Sequence, residues 1–114
     1  MKHLLLAFVG ALALATGAAP GAPSEPLTVH IKNFAFQPAT LTVHAGDQVT
    51  FVNDDDDAHT VTAVDRSFGS PGLDTGDHWT YAFKRTGKFA YICALHPYMK
   101  GTIIVLAATK SAAL

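Results

Sequence analysis

Cysteine is almost absent: Cys93 is the only one in a chain of 114 residues. A lone thiol cannot staple a small exported domain by an internal disulfide, and it cannot anchor a c-type haem, which needs C-x-x-C-H. Charge of one sign is lacking too. Eight Lys and Arg stand against nine Asp and Glu, a formal net charge of −1, so no basic field points to nucleic acid. The one long apolar run, from Leu4 to about Ala15, falls short of the roughly 20 residues that cross a bilayer. There is no amphipathic helical pattern of useful length, no internal repeat and no low-complexity region.

That apolar run follows a basic Lys2 and leads into the small residues and prolines of "ATGAAPGAP", the order of a secretory signal peptide. We read 1–19 as the signal, with cleavage between about 15 and 22, and 20–26 as a flexible Pro- and Gly-rich lead. A domain over 27–107 and a frayed tail over 108–114 complete the expected organisation. The protein is expected to be exported, to the periplasm if its source is bacterial, and to carry no membrane span once the signal is removed. Without Lys2 the balance is seven basic against nine acidic residues. About 90 to 100 residues remain, enough for one modest core.

Short β-branched and aromatic runs fill that domain. "LTVHI", "TLTVH", "QVTFVN", "WTYAF", "KFAYIC" and "GTIIVL" are separated by turn residues such as Asn33, Ala45-Gly46-Asp47 and Thr86-Gly87. Leu41 and Val43, Val49 and Phe51, Tyr81 and Phe83, and Phe89 and Tyr91 alternate with their neighbours. Period-two runs at this spacing predict an all-β sandwich or barrel. The stretch from Asp65 to Asp77 reads as a loop with a bulge or a short helical turn.

Chemistry concentrates in "YICALHPYMKG", where Cys93, His96 and Met99 follow one another at intervals of three. Cys93 ends a predicted strand and Gly101 opens the next, so the three side chains can converge at one end of a sandwich. Singly, each has a plain structural reading: cysteine as a small buried hydrophobe, methionine as core filler, histidine as a surface residue. His59, at the start of another β-like run, can supply a fourth group. Two imidazoles, a thiolate and a thioether make the donor set of a blue-copper centre, with His₂Cys in a trigonal plane and a weak axial methionine. Structural zinc fits less well, since it takes four Cys or His donors. A Cys93–His96 nucleophile and base remains open, although it leaves Met99 and His59 without a role. His3, His30, His44 and His78 are not assigned to the metal, and Trp79 reads as a core or edge aromatic.

From about Phe34 to Leu106 the chain resembles the small cupredoxins of the plastocyanin and amicyanin type. Its ligand loop, Cys93-x-x-His96-x-x-Met99, is as short as that of the amicyanin group. "FQPATLTVHAGDQVTFVN" carries the group's early pattern of a proline before a β-run, then Gly-Asp, then an apolar strand ending in Asn53, with His59 six positions on. The resemblance implies a Greek-key β-sandwich holding one type 1 copper ion through His59, Cys93, His96 and Met99. It also implies that Asn53 fastens the two ligand loops by hydrogen bonds. Such a protein is a monomeric electron carrier and not an enzyme, working between redox proteins such as a dehydrogenase donor and a cytochrome c acceptor. A copper-delivery or storage module on the same fold is the alternative. Leu95, Pro97 and Tyr98, with Phe36 and Pro38 as neighbours, are expected to form an apolar docking patch around His96. The acidic run Asp54, Asp55, Asp56 and Asp57 is expected to attract a cationic partner. One position departs from the group, which commonly has proline where this chain has Leu95.

Overall fold

Alternating apolar and polar residues fold into eight strands in the computed structural model, which describes residues 27–109. The expected signal and lead lie outside the described residues, as do the last five positions of the tail. In chain order the strands are β1 (Leu27–Lys32), β2 (Ala35–Gln37), β3 (Thr40–His44), β4 (Asp47–Asn53), β5 (Thr62–Ala63), β6 (His78–Phe83), β7 (Gly87–Ile92) and β8 (Lys100–Leu106). One sheet has the order β2-β1-β4-β6 and the other β3-β8-β7-β5. The chain therefore passes between sheets after β2, β3, β4, β5 and β6. Those crossings leave β1 parallel to β4 and β3 parallel to β8, in the β-sandwich that the sequence predicts.

Alternation decides which face turns inward. Val29 and Ile31 on β1 are fully buried while His30 and Lys32 are exposed, so a slip of one residue would put a histidine and a lysine into the core. Burying an aliphatic or aromatic side chain of this size contributes about 1.5–3 kcal/mol, which holds the register. Val49, Phe51, Phe89, Tyr91, Ile103 and Val105 face the same interior from the other strands. All six β-like runs of the sequence became strands. The two strands it did not announce, β2 and β5, are three and two residues long, too short to show a period.

Among the described residues there is no helix, so the Asp65–Asp77 stretch contains no helical turn. It is pinned instead by two buried side chains, Phe68 and Leu73, and by bridges from Leu73 to His59 and from Gly69 to Thr62. This loop braces the segment that carries His59.

Candidate metal centre

Cys93 is the first residue beyond β7, and the loop from it to β8 is wound tightly. The His96 amide donates to the Cys93 carbonyl at 3.2 Å, the Met99 amide to the His96 carbonyl at 2.8 Å, and the Cys93 amide to the Met99 carbonyl at 3.2 Å. Three backbone bonds over seven residues fold Cys93, His96 and Met99 around one point. His59 comes from the other sheet connection, between β4 and β5. Its amide and carbonyl both pair with Leu73, at 3.0 and 2.8 Å. The His59 backbone is thus held by the 65–77 loop.

Cys93 Sγ lies 3.7 Å from His59 Nδ1 and 3.7 Å from His96 Nδ1. The three donor atoms all fall within 4.8 Å of one another. If metal–sulfur and metal–nitrogen bonds measure about 2.3 and 2.0 Å, a trigonal angle puts sulfur and nitrogen about 3.7 Å apart. The side chains have that spacing. His59 and Cys93 are fully buried, Met99 is 2% exposed, and His96 is half-buried, so one imidazole alone reaches toward solvent. Soft thiolate and thioether donors beside two imidazoles suit copper in both oxidation states, and the four residues fit that ion.

Contacts around these ligands correct two expectations, for Asn53 and for Phe36. Asn53 is buried, but it donates to the carbonyls of Asp57 at 2.9 Å and Leu73 at 2.8 Å, so it orders the loop before His59 and makes no bond to the cysteine loop. Thr60 makes that tie. Its amide points at Cys93 Sγ at 3.3 Å and its hydroxyl accepts the Ala94 amide at 2.8 Å. Phe36 is 2% exposed and packs its ring 4.7 Å from that of Tyr91, so it belongs to the core and not to a surface patch. The aromatic beside the ligands is Phe34, 38% exposed, whose ring meets His59 and His96 edge-on at 5.2 and 5.1 Å. Leu95, Pro97, Tyr98 and Pro38 are exposed, with the Tyr98 ring 6.1 Å from His96.

The acidic run does not act as a unit. Asp56 and Asp57 are exposed, Asp54 pairs with His30 at 2.7 Å, and Asp55 turns inward to His59 Nε2 at 2.9 Å. Partial desolvation pushes the Asp55 carboxyl up, but amide bonds from Phe34 and Asn33 and the contact with His59 together hold it below the ordinary carboxylate value. The only signal that could have singled out Asp55 was its spacing of four before His59. Thr60 had a plainer one, a hydroxyl immediately after a ligand.

Thr60→Val keeps the amide that points at sulfur and removes the hydroxyl. We expect about tenfold weaker copper retention, the low end for loss of an outer bond at a metal site, with the blue spectrum preserved. Competition with a copper chelator measures it, and retention equal to that of the parent protein would show that the Thr60 hydroxyl is not the tie.

The family described as cupredoxin-like domain matches residues 4–105. Amicyanin-alpha of Methylorubrum extorquens is 32% identical over 109 residues, covering 89% of this chain and 92% of that protein. Among solved structures, a Cu(I) form of an amicyanin variant superposes with a TM-score of 0.67 at 25% identity, covering 70% of this chain and 81% of that one. The copper-containing nitrite reductase of Thermus scotoductus superposes with a TM-score of 0.67 at 33% identity, covering 71% of this chain but 22% of the reductase chain.

Proposed function

The chain belongs to the cupredoxin family, and on that premise we propose that it is an exported carrier passing single electrons between two larger redox proteins. The observation that carries this reading is the pair of 3.7 Å distances from Cys93 Sγ to the two imidazole nitrogens. Bound there, a type 1 copper ion supplies a one-electron Cu(I)/Cu(II) couple. The chain's own part is to hold one geometry in both states. Strand ends and backbone-bonded loops supply that rigidity.

Burial favours a carrier over the other readings. Cys93 has no exposed surface, so its thiol is out of reach of a substrate that a nucleophile would attack. A delivery module needs donors that a partner can take over, whereas His59, Cys93 and Met99 are all buried. His96 offers the way out for the electron, between exposed Leu95, Pro97, Tyr98 and Phe34. A dehydrogenase donor and a cytochrome c acceptor fit the resemblance to amicyanin, and the leader of the sequence fits export. The test is the spectrum of the Cu(II)-loaded protein. Intense sulfur-to-copper absorption with narrow EPR hyperfine splitting is expected, and a pale protein with wide splitting would overturn the reading.

Acidic loops near the site favour a cationic partner. Exposed Asp56 and Asp57 are joined by exposed Asp74 and Asp77, because the Thr75 hydroxyl donates to the Asp55 and Asp56 carbonyls and the Asn53 amide to that of Asp77. Removing two carboxylates while leaving Asp55 in place isolates this effect. The double variant Asp56→Asn and Asp57→Asn should slow reduction of a basic cytochrome on the order of tenfold at low salt, the low end for electrostatic steering. Near physiological salt, where the Debye length is ~8 Å, most of the difference should vanish. Stopped-flow rates that coincide across the whole salt series would make these aspartates a solvated loop and nothing more.

A further inference from the structure

The turn between β1 and β2 breaks a local rule. A two-residue hairpin loop of type I′ needs positive φ at both central residues, for which Asn-Gly is the favoured pair. Here the pair is Asn33, at φ 54°, and Phe34, at φ 56°. A bulky aromatic thus occupies a conformation that side chains of its size avoid, and something beyond the turn must hold it. Asp55 does so. Its Oδ1 accepts the Asn33 amide at 2.6 Å and its Oδ2 accepts the Phe34 amide at 2.9 Å.

The same Oδ2 lies 2.9 Å from His59 Nε2, while His59 Nδ1 faces Cys93 Sγ at 3.7 Å. Asp55 is itself anchored, its amide on Asn53 Oδ1 at 2.9 Å and its carbonyl on the Thr75 hydroxyl at 2.8 Å. With the side chain 10% exposed and His59 fully buried, these bonds are shielded from water. Two backbone amides and one imidazole nitrogen therefore converge on one carboxylate. An ionised carboxylate only accepts and has room for all three, whereas an asparagine would turn an NH₂ toward at least one N–H.

We propose that Asp55 is a positioning residue for the copper site: it fixes His59 as the Nε2–H tautomer, strengthens Nδ1 as a donor, and clamps Phe34 against both imidazoles. The proposal deepens the carrier reading and rests on it. A carboxylate behind a ligating imidazole raises its basicity, and the added negative charge favours the more positive, oxidised centre. Asp55→Asn should therefore weaken Cu(II) binding by ~10- to 100-fold and leave Cu(I) binding nearly unchanged. At about 59 mV per tenfold for a one-electron couple, that is a rise in reduction potential of about 60 to 120 mV.

Two measurements test it. In the metal-free wild-type protein, long-range ¹H–¹⁵N NMR should report His59 as the Nε2–H tautomer, with slow amide exchange at Asn33 and Phe34. A Nδ1–H tautomer or fast exchange at both amides overturns the proposal, and this readout stands even where Asp55→Asn fails to fold. In the copper-loaded proteins, Asp55→Asn should be blue with the raised potential, and Asp55→Glu, which keeps charge and acceptors, should lie between it and the parent. A blue Asp55→Asn with the parent's potential overturns the proposal. A wild-type protein that takes up Cu(II) without turning blue would overturn the carrier reading instead, and leave the tautomer result to be judged on its own.

Discussion

Cys93→Ser is expected to lose the blue colour completely, because the absorption requires a thiolate bonded to Cu(II) and no other sulfur can replace it. Met99 is the only other sulfur among the described residues, and a thioether in the axial position binds weakly. A serine hydroxyl does not ionise in the pH range where a thiol does, so the trigonal plane would lose its one anionic donor. The Thr60 amide, now 3.3 Å from Sγ, would face a neutral oxygen. Copper held by the two imidazoles alone should give a pale complex with wide EPR hyperfine splitting and a large fall in Cu(II) affinity. The fold should survive, since cysteine and serine differ little in volume and the backbone bonds of the loop do not involve the side chain. Absorption and circular dichroism together decide the matter. An intense blue band in a folded Cys93→Ser protein would remove Cys93 from the ligand set.

What could be read from the sequence was what lies close together along it. Cys93, His96 and Met99 share one loop, and the alternation around Val49 and Phe51 or Phe89 and Tyr91 needs only a few residues to show. What stayed hidden depends on segments that meet in space. Asp55 looks like its three neighbours until the Asn33-Phe34 turn, more than twenty residues upstream, brings two amides to it. Phe34 reads as an apolar residue in a turn, and only its distances to His59 and His96 give it a role. Asn53, at the end of a strand before a ligand, looked placed to join the two ligand loops. The backbone bond of His59 to Leu73 drew the 65–77 loop in beside it, so its amide met Leu73 and Asp57 instead. Gly101 was legible only as the opening of a strand, and its actual constraint lies across the sheet.

Gly101→Ala is expected to be the most damaging single substitution away from the ligands. Gly101 lies opposite Tyr91 in the β7–β8 ladder, and the phenol ring leans across its backbone. A methyl group there would sit 2.3 Å from Cζ, 2.4 Å from Oη and 2.7 Å from Cε2 of Tyr91, closer than any real carbon contact. The ring cannot swing away, being 1% exposed with Phe36 and Phe51 at centroid distances of 4.7 and 5.6 Å. Overpacking of a closed core costs about 1–3 kcal/mol and sometimes more; a clash with a boxed-in ring belongs at the upper end. At about 4–8 °C per kcal/mol for a domain of this size, ~3 kcal/mol lowers Tm by about 12–24 °C. The phenol oxygen is not what makes the contact fatal. It is buried without a hydrogen-bond partner, and burial pushes its pKa well above the ordinary value. Tyr91→Phe should therefore be nearly neutral alone and should not rescue Gly101→Ala, since Cζ remains in place. Tyr91→Leu, which removes Cζ and Cε2, should make the alanine far less costly than it is in the parent, and a double-mutant cycle isolates that coupling. Tyr91 stands two residues before Cys93 and Gly101 two after Met99, so a ring or ladder forced apart here displaces both sulfur ligands. Broadened copper EPR lines should accompany the lower melting temperature. A Gly101→Ala protein that melts within a degree or two of the parent, with an unchanged spectrum, would show that the ladder yields at this point and does not hold the site.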